Sequence, residues 1–413
     1  MVSIQLNTTL ATPVMLADKK QTTYLRIGLS GDHPDNQVLA NVTLIIDKSA
    51  SMQGKKIFCA KEATALIIDQ LRQDDIIAIV TYDHHADILV PAQVATVDTQ
   101  QLKLALQQLS ASGQTALFNG IETGMKEIRK FWERDRVNRL ILLSDGLANV
   151  GPRSPEEFTS LASTFSQANI AITTIGLGLG YNEDLMTQLA RQSDGNHAFA
   201  EHGINLISIF DNEFKEICSV VAQEVNVTII CMDGIRPVRV LGRNAQIQGA
   251  TVSVKLNQLY REQEKYILLE LDVAAFPVNP EVILAGVAVV YRNIHSHLTE
   301  RLSGKITATF TNSLKGHQAN AVVMSAVAEQ LAAEKNNIAI HLRDQGKIAE
   351  AQQVFLDNAR CLAEESAQYR SQTLQDLQQS SLIAVQYLDH HNWQRQRKRM
   401  REQLYKITQQ QKY

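Results

Sequence analysis

The sequence predicts an α/β domain with a doubly wound, mostly parallel sheet, inserted in or next to an antiparallel β-sandwich and followed by a C-terminal α-helical region. Three observations support this class. Strand-like and helix-like segments alternate from residue 41 onward, strand-like segments with polar turns follow residue 221, and helical periodicity begins at about residue 318. Alternation of the first kind is typical of a parallel sheet that helices cover on both faces.

The α/β segment begins with an almost uninterrupted apolar run at Val42–Ile46, as expected of a strand that is buried on both faces. Further strands are predicted at 76–81, 140–143 and 170–175, and helices at 52–72, 100–109, 117–132, 155–168 and 184–192. Ligands of such sheets bind beyond the carboxyl ends of the strands. The loops that follow these strands are therefore where functional residues are expected.

The segments on both sides of the α/β segment are rich in strands. Apolar and polar residues alternate in much of the first 40 residues, and later strands are predicted at 225–230, 251–256, 265–273, 282–291 and 305–311. The N-terminal strands have no other strand-rich partner, so we expect them to complete one sandwich with the later strands.

The end of the chain is predicted to be helical, with helices at 319–343, 348–365 and 369–390. A plain helical bundle is favoured over a single tetratricopeptide-like hairpin, because no repeat is detectable. The predicted domains are 1–37 for the N-terminal strands, 38–220 for the α/β domain, 221–314 for the sandwich and 315–413 for the helical region.

Composition indicates a folded protein of two or three domains, since 413 residues are divided at about 150 residues per domain. A net charge of −3 argues against nucleic acid as a partner. The four cysteines lie far apart without CxxC spacing, which suggests neither a zinc site nor a redox dithiol and predicts reduced thiols. The N-terminus lacks a signal peptide pattern, and the longest apolar run is about half of the roughly 20 residues that a membrane helix needs. We expect no membrane span and a cytoplasmic location.

Carboxylate and hydroxyl side chains follow two predicted strands and precede one predicted helix. Asp47, Ser49 and Ser51 come directly after the first α/β strand. Asp145 follows the third strand in a Ser-Asp-Gly sequence, and Thr115 lies in a glycine-containing loop before a helix. Asp47 or Ser51 alone would be interpreted as a helix cap, but five such residues on three converging loops favour a metal site. Oxygen donors of this kind suit Mg²⁺, with Mn²⁺ or Ca²⁺ as alternatives.

The order D-x-S-x-S, then Thr, then Asp in S-D-G resembles the metal-ion-dependent adhesion site (MIDAS) of von Willebrand factor type A (VWA) domains of the bacterial intracellular type. The resemblance extends over about residues 38–215 and implies a Rossmann-like fold. Residues 175–199 are similar to the closing segment of bacterial members. Ala50 stands where bacterial members usually carry glycine, and a left-handed backbone there would cost an alanine about 1–2 kcal/mol.

The resemblance also implies a role for each of the five residues. Ser49, Ser51 and Thr115 would bind the metal through their hydroxyls. Asp47 and Asp145 would bind it directly or through water. In this family the remaining coordination position is filled by an acidic side chain of a protein partner. Intracellular bacterial members often work alongside AAA+ ATPases, which makes such a system a candidate partner.

Three other patterns have less specific interpretations. Gly176-x-Gly178-x-Gly180 lacks GxGxxG spacing, so a tight turn is favoured over a dinucleotide site, and the sequence contains no P-loop motif. His84 and His85 are interpreted as an exposed pair in a loop, with a transition-metal or acid–base role as the alternative. The basic run 395–401 is interpreted as a solvated, fraying helix end, with docking on an acidic partner or nucleic acid as the alternative.

These observations predict a metal-dependent protein-binding scaffold or adaptor and not an enzyme. Two functions from other classes remain open. A surface adhesin could use the same metal site, although the N-terminal sequence disfavours it. A metal-dependent hydrolase would use the metal to activate water, although the ligand set contains no evident general base.

Overall fold

The computed structural model describes residues 3–32, 38–95, 99–152, 154–389 and 392–412. Residues 1 and 2, the predicted boundary at 37 and the predicted helix end at 390 lie outside the described residues. The chain divides into two compact units. Among the described residues, one unit contains 38–221 and 294–297, and the other contains 3–32, 222–293 and 298–412.

The strands of the described residues are β1 (Ser3–Leu10), β2 (Val14–Leu16), β3 (Gln21–Asp32), β4 (Ala40–Asp47), β5 (Ile76–Tyr82), β6 (Ala86–Val94), β7 (Val137–Ser144), β8 (Ala171–Leu177), β9 (His197–Ala200), β10 (Val220–Cys231), β11 (Ile235–Leu241), β12 (Gln246–Gln248), β13 (Thr251–Tyr260), β14 (Lys265–Val273), β15 (Asn279–Asn293) and β16 (Thr299–Thr311). The helices are α1 (Lys55–Gln70), α2 (Thr99–Gln107), α3 (Leu117–Arg129), α4 (Pro155–Gln167), α5 (Glu183–Gln192), α6 (Asn205–Cys218), α7 (Ala321–Asp344), α8 (Ile348–Tyr369), α9 (Gln372–Tyr387) and α10 (Trp393–Gln409).

The sheet of the α/β unit has the strand order β6-β5-β4-β7-β8-β9. Strand β4 pairs in parallel with β5 and β7, and β8 pairs in parallel with β7 and β9. Every residue of β4, β5, β7 and β8 is buried, which explains their continuous apolar sequences. The predicted mostly parallel α/β sheet is therefore confirmed. Strand β6, which pairs antiparallel with β5 at one edge, was not anticipated.

Helix α3 lies unusually close to the sheet. A Cβ atom on Gly124 would lie 2.4 Å from the Ile45 side chain, and one on Gly120 would lie 2.9 Å from the Tyr82 ring. Any side chain at these two positions would push the helix outward. The two glycines thus bring the start of α3, and Thr115 just before it, to the ends of β4 and β5.

The N-terminal strands pair with strands from much later in the chain. Strand β3 pairs antiparallel with β1 and β14, and β14 pairs with β11, which gives the order β1-β3-β14-β11. A second sheet has the order β12-β13-β10-β15-β16-β2. Strand β1 packs on β16 and β3 on β13, so the two sheets face each other. The expectation that the N-terminal strands complete a sandwich with later strands is confirmed.

Helices α7 to α10 pack around their own apolar core, which includes Phe355, Leu377, Trp393 and Leu404. The interpretation of the basic run near residue 400 as a fraying helix end is wrong. That run lies within α10, where Trp393, Met400 and Leu404 are buried. The apolar side chains of α10 are few among its arginines and lysines, so the mean hydropathy of the segment is low and its buried face is easily missed in the sequence.

All four cysteines are free thiols, as their wide spacing predicts; Cys59 and Cys231 are buried and Cys361 is exposed. Within the described ranges, no helix combines the length and the apolar character that crossing a membrane requires.

Candidate metal centre

The first predicted ligands lie at the carboxyl ends of two neighbouring central strands. In the parallel register of β4 and β7, Ile46 is paired with Leu143. Asp47 is the last residue of β4, and Asp145 directly follows β7. The register thus places both carboxylates at the same edge of the sheet, as the sequence predicts.

Asp47 is fully buried and is surrounded by hydrogen-bond donors. The Ser49 amide donates to its Oδ1 at 2.8 Å, and the hydroxyls of Tyr82 and Ser144 donate to its Oδ2 at 3.3 and 3.2 Å. Burial nevertheless raises the pKa of Asp47 from 3.8 to about 6, and the negative charge of Asp145 acts in the same direction. A buried carboxylate in this position would be stabilised by a cation.

A chain of short contacts connects the other side chains of the first loop to Asp145. The Ser49 and Ser51 hydroxyl oxygens are 3.0 Å apart, and Ser51 donates to Asp145 Oδ1 at 2.6 Å. The second oxygen, Asp145 Oδ2, accepts from Lys56 Nζ at 2.5 Å. Ser49 and Asp145 are buried, whereas Ser51 is exposed. Ser51 therefore lies on the solvent side of the cluster, and the carboxylates of Asp47 and Asp145 are buried beneath the surface.

Backbone hydrogen bonds bring the Thr115 loop onto the D-x-S-x-S loop. The Ser112 amide donates to the Lys48 carbonyl at 2.7 Å, and the Ala50 amide donates to the Gly113 carbonyl at 3.1 Å. Thr115 itself is held by Asn149, whose Oδ1 accepts from the Thr115 amide at 2.7 Å. These bonds fix the loop that carries the fifth predicted ligand.

Thr115 and Ser51 face a common point beside the Asp145 loop. A Cβ atom on Gly146 would lie 3.6 Å from Ser51 Oγ and 3.6 Å from Thr115 Oγ1. The structure thus brings Asp47, Ser49, Ser51 and Asp145 together through direct contacts and places Thr115 next to them.

The alanine at position 50 is not strained. Ala50 begins a 3₁₀ turn, Ala50–Met52, which is a right-handed conformation. A glycine is therefore not required there. Ala50 does not incur the cost of about 1–2 kcal/mol that a left-handed backbone would impose on an alanine. The D-x-S-x-S loop closes without it.

Gly176 lies within β8, and Gly178 and Gly180 lie in the strand-to-helix turn that leads to α5, the interpretation that the sequence favours over a dinucleotide site. A Cβ atom on Gly180 would lie 2.7 Å from the Asp145 carbonyl oxygen. Only glycine allows such a close approach of the two backbones. The turn therefore supports the Asp145 loop from the side of α5.

The donor set fits a hard divalent cation. Asp47, Ser49, Ser51, Thr115 and Asp145 offer only oxygen atoms, with two negative charges among them. Mg²⁺ and Ca²⁺ prefer oxygen ligands, and Mg²⁺ is usually held by one or two carboxylates and completed by water. The buried Asp47 carboxylate supplies an electrostatic reason for a cation at this position.

Sequence reasoning missed three residues of this centre. Ser144 was within the Ser-Asp-Gly sequence that identified Asp145, so its position was a usable signal. Tyr82 is opposite Asp47 in the register of β4 and β5. Lys56 reaches Asp145 from the first turn of α1, and no sequence pattern indicated this contact.

Comparison with known proteins identifies the α/β unit. A family model of the von Willebrand factor type A domain matches residues 41–212. The uncharacterized protein sll0103 of Synechocystis sp. is 26 % identical over 295 residues, which cover 69 % of this chain and 69 % of that protein. The uncharacterized protein YfbK of Escherichia coli is 27 % identical over 214 residues, 51 % of this chain but only 37 % of YfbK.

A solved structure supports the same fold. The von Willebrand factor type A protein from Catenulispora acidiphila superposes with a TM-score of 0.75 at 16 % identity, over 89 % of this chain and 88 % of that chain. A domain of this type suggests a role in protein interaction or adhesion. The match of the family model, the sheet order and the structural likeness lead to one conclusion: residues 41–212 of this chain form a von Willebrand factor type A domain.

Proposed function

We propose that the chain is a metal-dependent protein-binding scaffold or adaptor. Asp47, Ser49, Ser51, Thr115 and Asp145 would hold Mg²⁺, or Mn²⁺ or Ca²⁺ in its place, as a metal-ion-dependent adhesion site. The observation that carries the proposal is the continuous contact from the buried Asp47 through the two serines to Asp145.

The chemistry of these residues favours recognition of an acidic side chain. A bound divalent ion would supply a positive charge that the two carboxylates only just neutralise, so a third carboxylate from a partner protein would be attracted. The hydroxyls of Ser49, Ser51 and Thr115 are neutral and add no further negative charge, so the ion would stay electrophilic. Ser51, which is exposed, marks the side from which the partner would approach.

We propose that the cluster binds a partner and does not catalyse a reaction. Both carboxylates of the cluster are assigned to ligand positions, and Lys56 donates a hydrogen bond to Asp145. A hydrolase would need a further base to accept a proton from water. Metal-dependent turnover of a generic phosphoester by the purified protein would contradict this part of the proposal.

We propose a cytoplasmic protein partner that supplies an Asp or Glu, with an AAA+ ATPase system as the first class to test. A pull-down from a lysate of the source organism, with Mg²⁺ or with EDTA, tests the proposal directly. We expect the parent protein to capture a partner with Mg²⁺ and to release it in EDTA.

Two variants make the pull-down specific. Asp145→Ala should capture nothing in Mg²⁺, whereas Asp69→Ala, which removes an exposed carboxylate on α1, should behave as the parent does. A partner that is retained equally in EDTA and by Asp145→Ala would move recognition to the sandwich or the C-terminal helices.

A further inference from the structure

A second polar cluster lies at the end of β5, separate from the five residues of the proposed adhesion site. It consists of Asp83, whose carboxylate is buried, and of His84 and His85, whose rings are exposed. We propose that these three residues bind a divalent transition-metal ion of the Zn²⁺ class. The inference does not depend on the proposed function, because it uses none of the same side chains.

The distances among the donor atoms suit a small ion. Asp83 Oδ1 lies 3.1 Å from His84 Nδ1 and 3.6 Å from His85 Nδ1. One donor atom from each residue can be chosen so that all three lie within 4.8 Å of one another. Zinc–ligand bonds of about 2.0–2.2 Å in a tetrahedron place neighbouring ligands roughly 3.4 Å apart, close to the first two distances.

The His85 ring is held from its far side by a second carboxylate. Asp87 Oδ1 lies 3.1 Å from His85 Nε2, while Nδ1 of the same ring faces Asp83. Metal-bound histidines usually present one nitrogen to the metal and donate from the other to a carboxylate or carbonyl. His85 already has this arrangement.

Lys48 fixes the orientation of both carboxylates. Its ammonium lies 2.9 Å from Asp83 Oδ2 and 3.0 Å from Asp87 Oδ2. In each carboxylate the lysine thus contacts Oδ2, and Oδ1 faces the imidazoles. One oxygen of Asp83 is therefore directed towards the two histidine nitrogens without competition from Lys48.

A glycine lets a neighbouring loop approach the three residues of the cluster closely. Gly113 has a φ of +78°, and a Cβ atom there would lie 2.9 Å from His84 Nδ1 and 3.3 Å from Asp83 Cβ. The Asp83 amide donates to the His85 carbonyl at 2.9 Å, which closes a tight turn around the two histidines. The loop that carries Thr115 thus packs against this cluster as well.

The donor types define the ion. Imidazole nitrogen suits Zn²⁺, Cu²⁺ and Ni²⁺, whereas Mg²⁺ and Ca²⁺ take oxygen ligands. Three protein ligands leave a fourth position open, and the exposed rings leave that position accessible to water or to a side chain from a partner. The cluster and the oxygen site next to it should therefore select different ions.

Isothermal titration of tag-free protein with Zn²⁺, in Mg²⁺ sufficient to saturate the oxygen site, tests the proposal. We expect one Zn²⁺ site per chain that is at least tenfold weaker in the double variant His84→Ala, His85→Ala. His317→Ala removes an exposed histidine of the other unit and should leave the site unchanged. Asp145→Ala should also leave it unchanged, which separates this proposal from the proposed function.

Equal affinity and stoichiometry in the parent and in the double variant would overturn the proposal. Zinc binding that survives in the double variant but disappears after thiol alkylation would assign the ion to a cysteine such as the exposed Cys361 instead. The two histidine side chains are 58 % and 53 % exposed, so their replacement should not alter folding. Matching thermal melts in EDTA check this.

Discussion

Two polar clusters at the same edge of one sheet differ in burial and in the atoms that they offer. In the cluster at the ends of β4 and β7, Asp47 and Asp145 are 0 % and 1 % exposed, and all donors are oxygens. In the cluster at the end of β5, only Asp83 is buried, and the two imidazoles face solvent. The difference shows that the sheet positions the buried carboxylates in both clusters, whereas the loops decide which ion each cluster suits.

The prediction with the largest expected effect concerns the buried carboxylate of Asp47. Its pKa is raised from 3.8 to about 6 by burial, with Asp145 adding to the effect. The folded state then holds this proton more tightly than the unfolded state, so in metal-free protein the contribution of Asp47 to stability falls as pH rises from 3.8 to about 6, and falls no further above that. Two pKa units correspond to at most about 3 kcal/mol.

Asp47→Asn isolates this contribution, because the amide keeps an oxygen that can accept from the Ser49 amide. We expect the free energy of unfolding of the parent minus that of the variant to fall by up to about 3 kcal/mol between about pH 4 and pH 6.5. Urea unfolding in EDTA measures it. A difference that is constant with pH would show that Asp47 is ionised throughout and that the cluster is hydrated.

A second test removes the other carboxylate. At a free Mg²⁺ concentration of 100 times Kd, the parent should gain about 2.7 kcal/mol of stability, and Asp145→Ala should gain nothing measurable. Thermal melts with Mg²⁺ and with EDTA compare the two. Asp69→Ala, which loses an exposed ion pair with Lys103, is the control and should respond as the parent does. If Asp145→Ala also responds fully to Mg²⁺, the assigned ligand set is wrong.

Sequence patterns are most informative for residues whose position in the fold is set by the end of a single strand. Fully buried parallel strands read as continuous apolar runs, so the polar residues directly after each run mark the edge of the sheet. Asp47 and Asp145 were found in this way, and the alternation of Asp47, Ser49 and Ser51 followed directly. The metal-binding roles of these residues stay predictions.

The contacts that depend on packing could not be obtained in the same way. Lys56 reaches Asp145 only because α1 has a particular orientation over the sheet, and Tyr82 meets Asp47 only through the register of β5. Strand β6 contains a proline and is mostly half-buried, so it lacks clear alternation. Local patterns carry no information on helix orientation or strand register, which are set by the whole core.

A third test concerns Asp87, the carboxylate that contacts His85 in the cluster of Asp83, His84 and His85. Asp87→Asn keeps all three proposed ligands but removes the carboxylate that lies 3.1 Å from His85 Nε2. We expect Zn²⁺ affinity to fall about 10- to 100-fold in titration calorimetry, with the Mg²⁺ response unchanged. Unaltered Zn²⁺ affinity would mean that the turn alone orients the His85 ring.

The smallest expected effect comes from the lysine that each cluster places on one of its carboxylates. Lys48 contacts Asp83 at 2.9 Å, and Lys56 contacts Asp145 at 2.5 Å. In the oxygen cluster the lysine and a divalent ion would share the Asp145 carboxylate. Lys56→Met removes the charge and keeps the length of the side chain, so Mg²⁺ affinity should rise a few-fold to about tenfold, limited by solvent screening.

Lys55→Met is the matched control, because Lys55 is adjacent in the same helix turn and is exposed. Its Mg²⁺ affinity, measured by calorimetry alongside that of Lys56→Met, should equal that of the parent. If Lys56→Met instead weakens Mg²⁺ binding, the lysine orients Asp145 for the ion as Lys48 orients Asp83. The two clusters would then share one principle, in which a lysine on one carboxylate oxygen directs the other oxygen towards the metal.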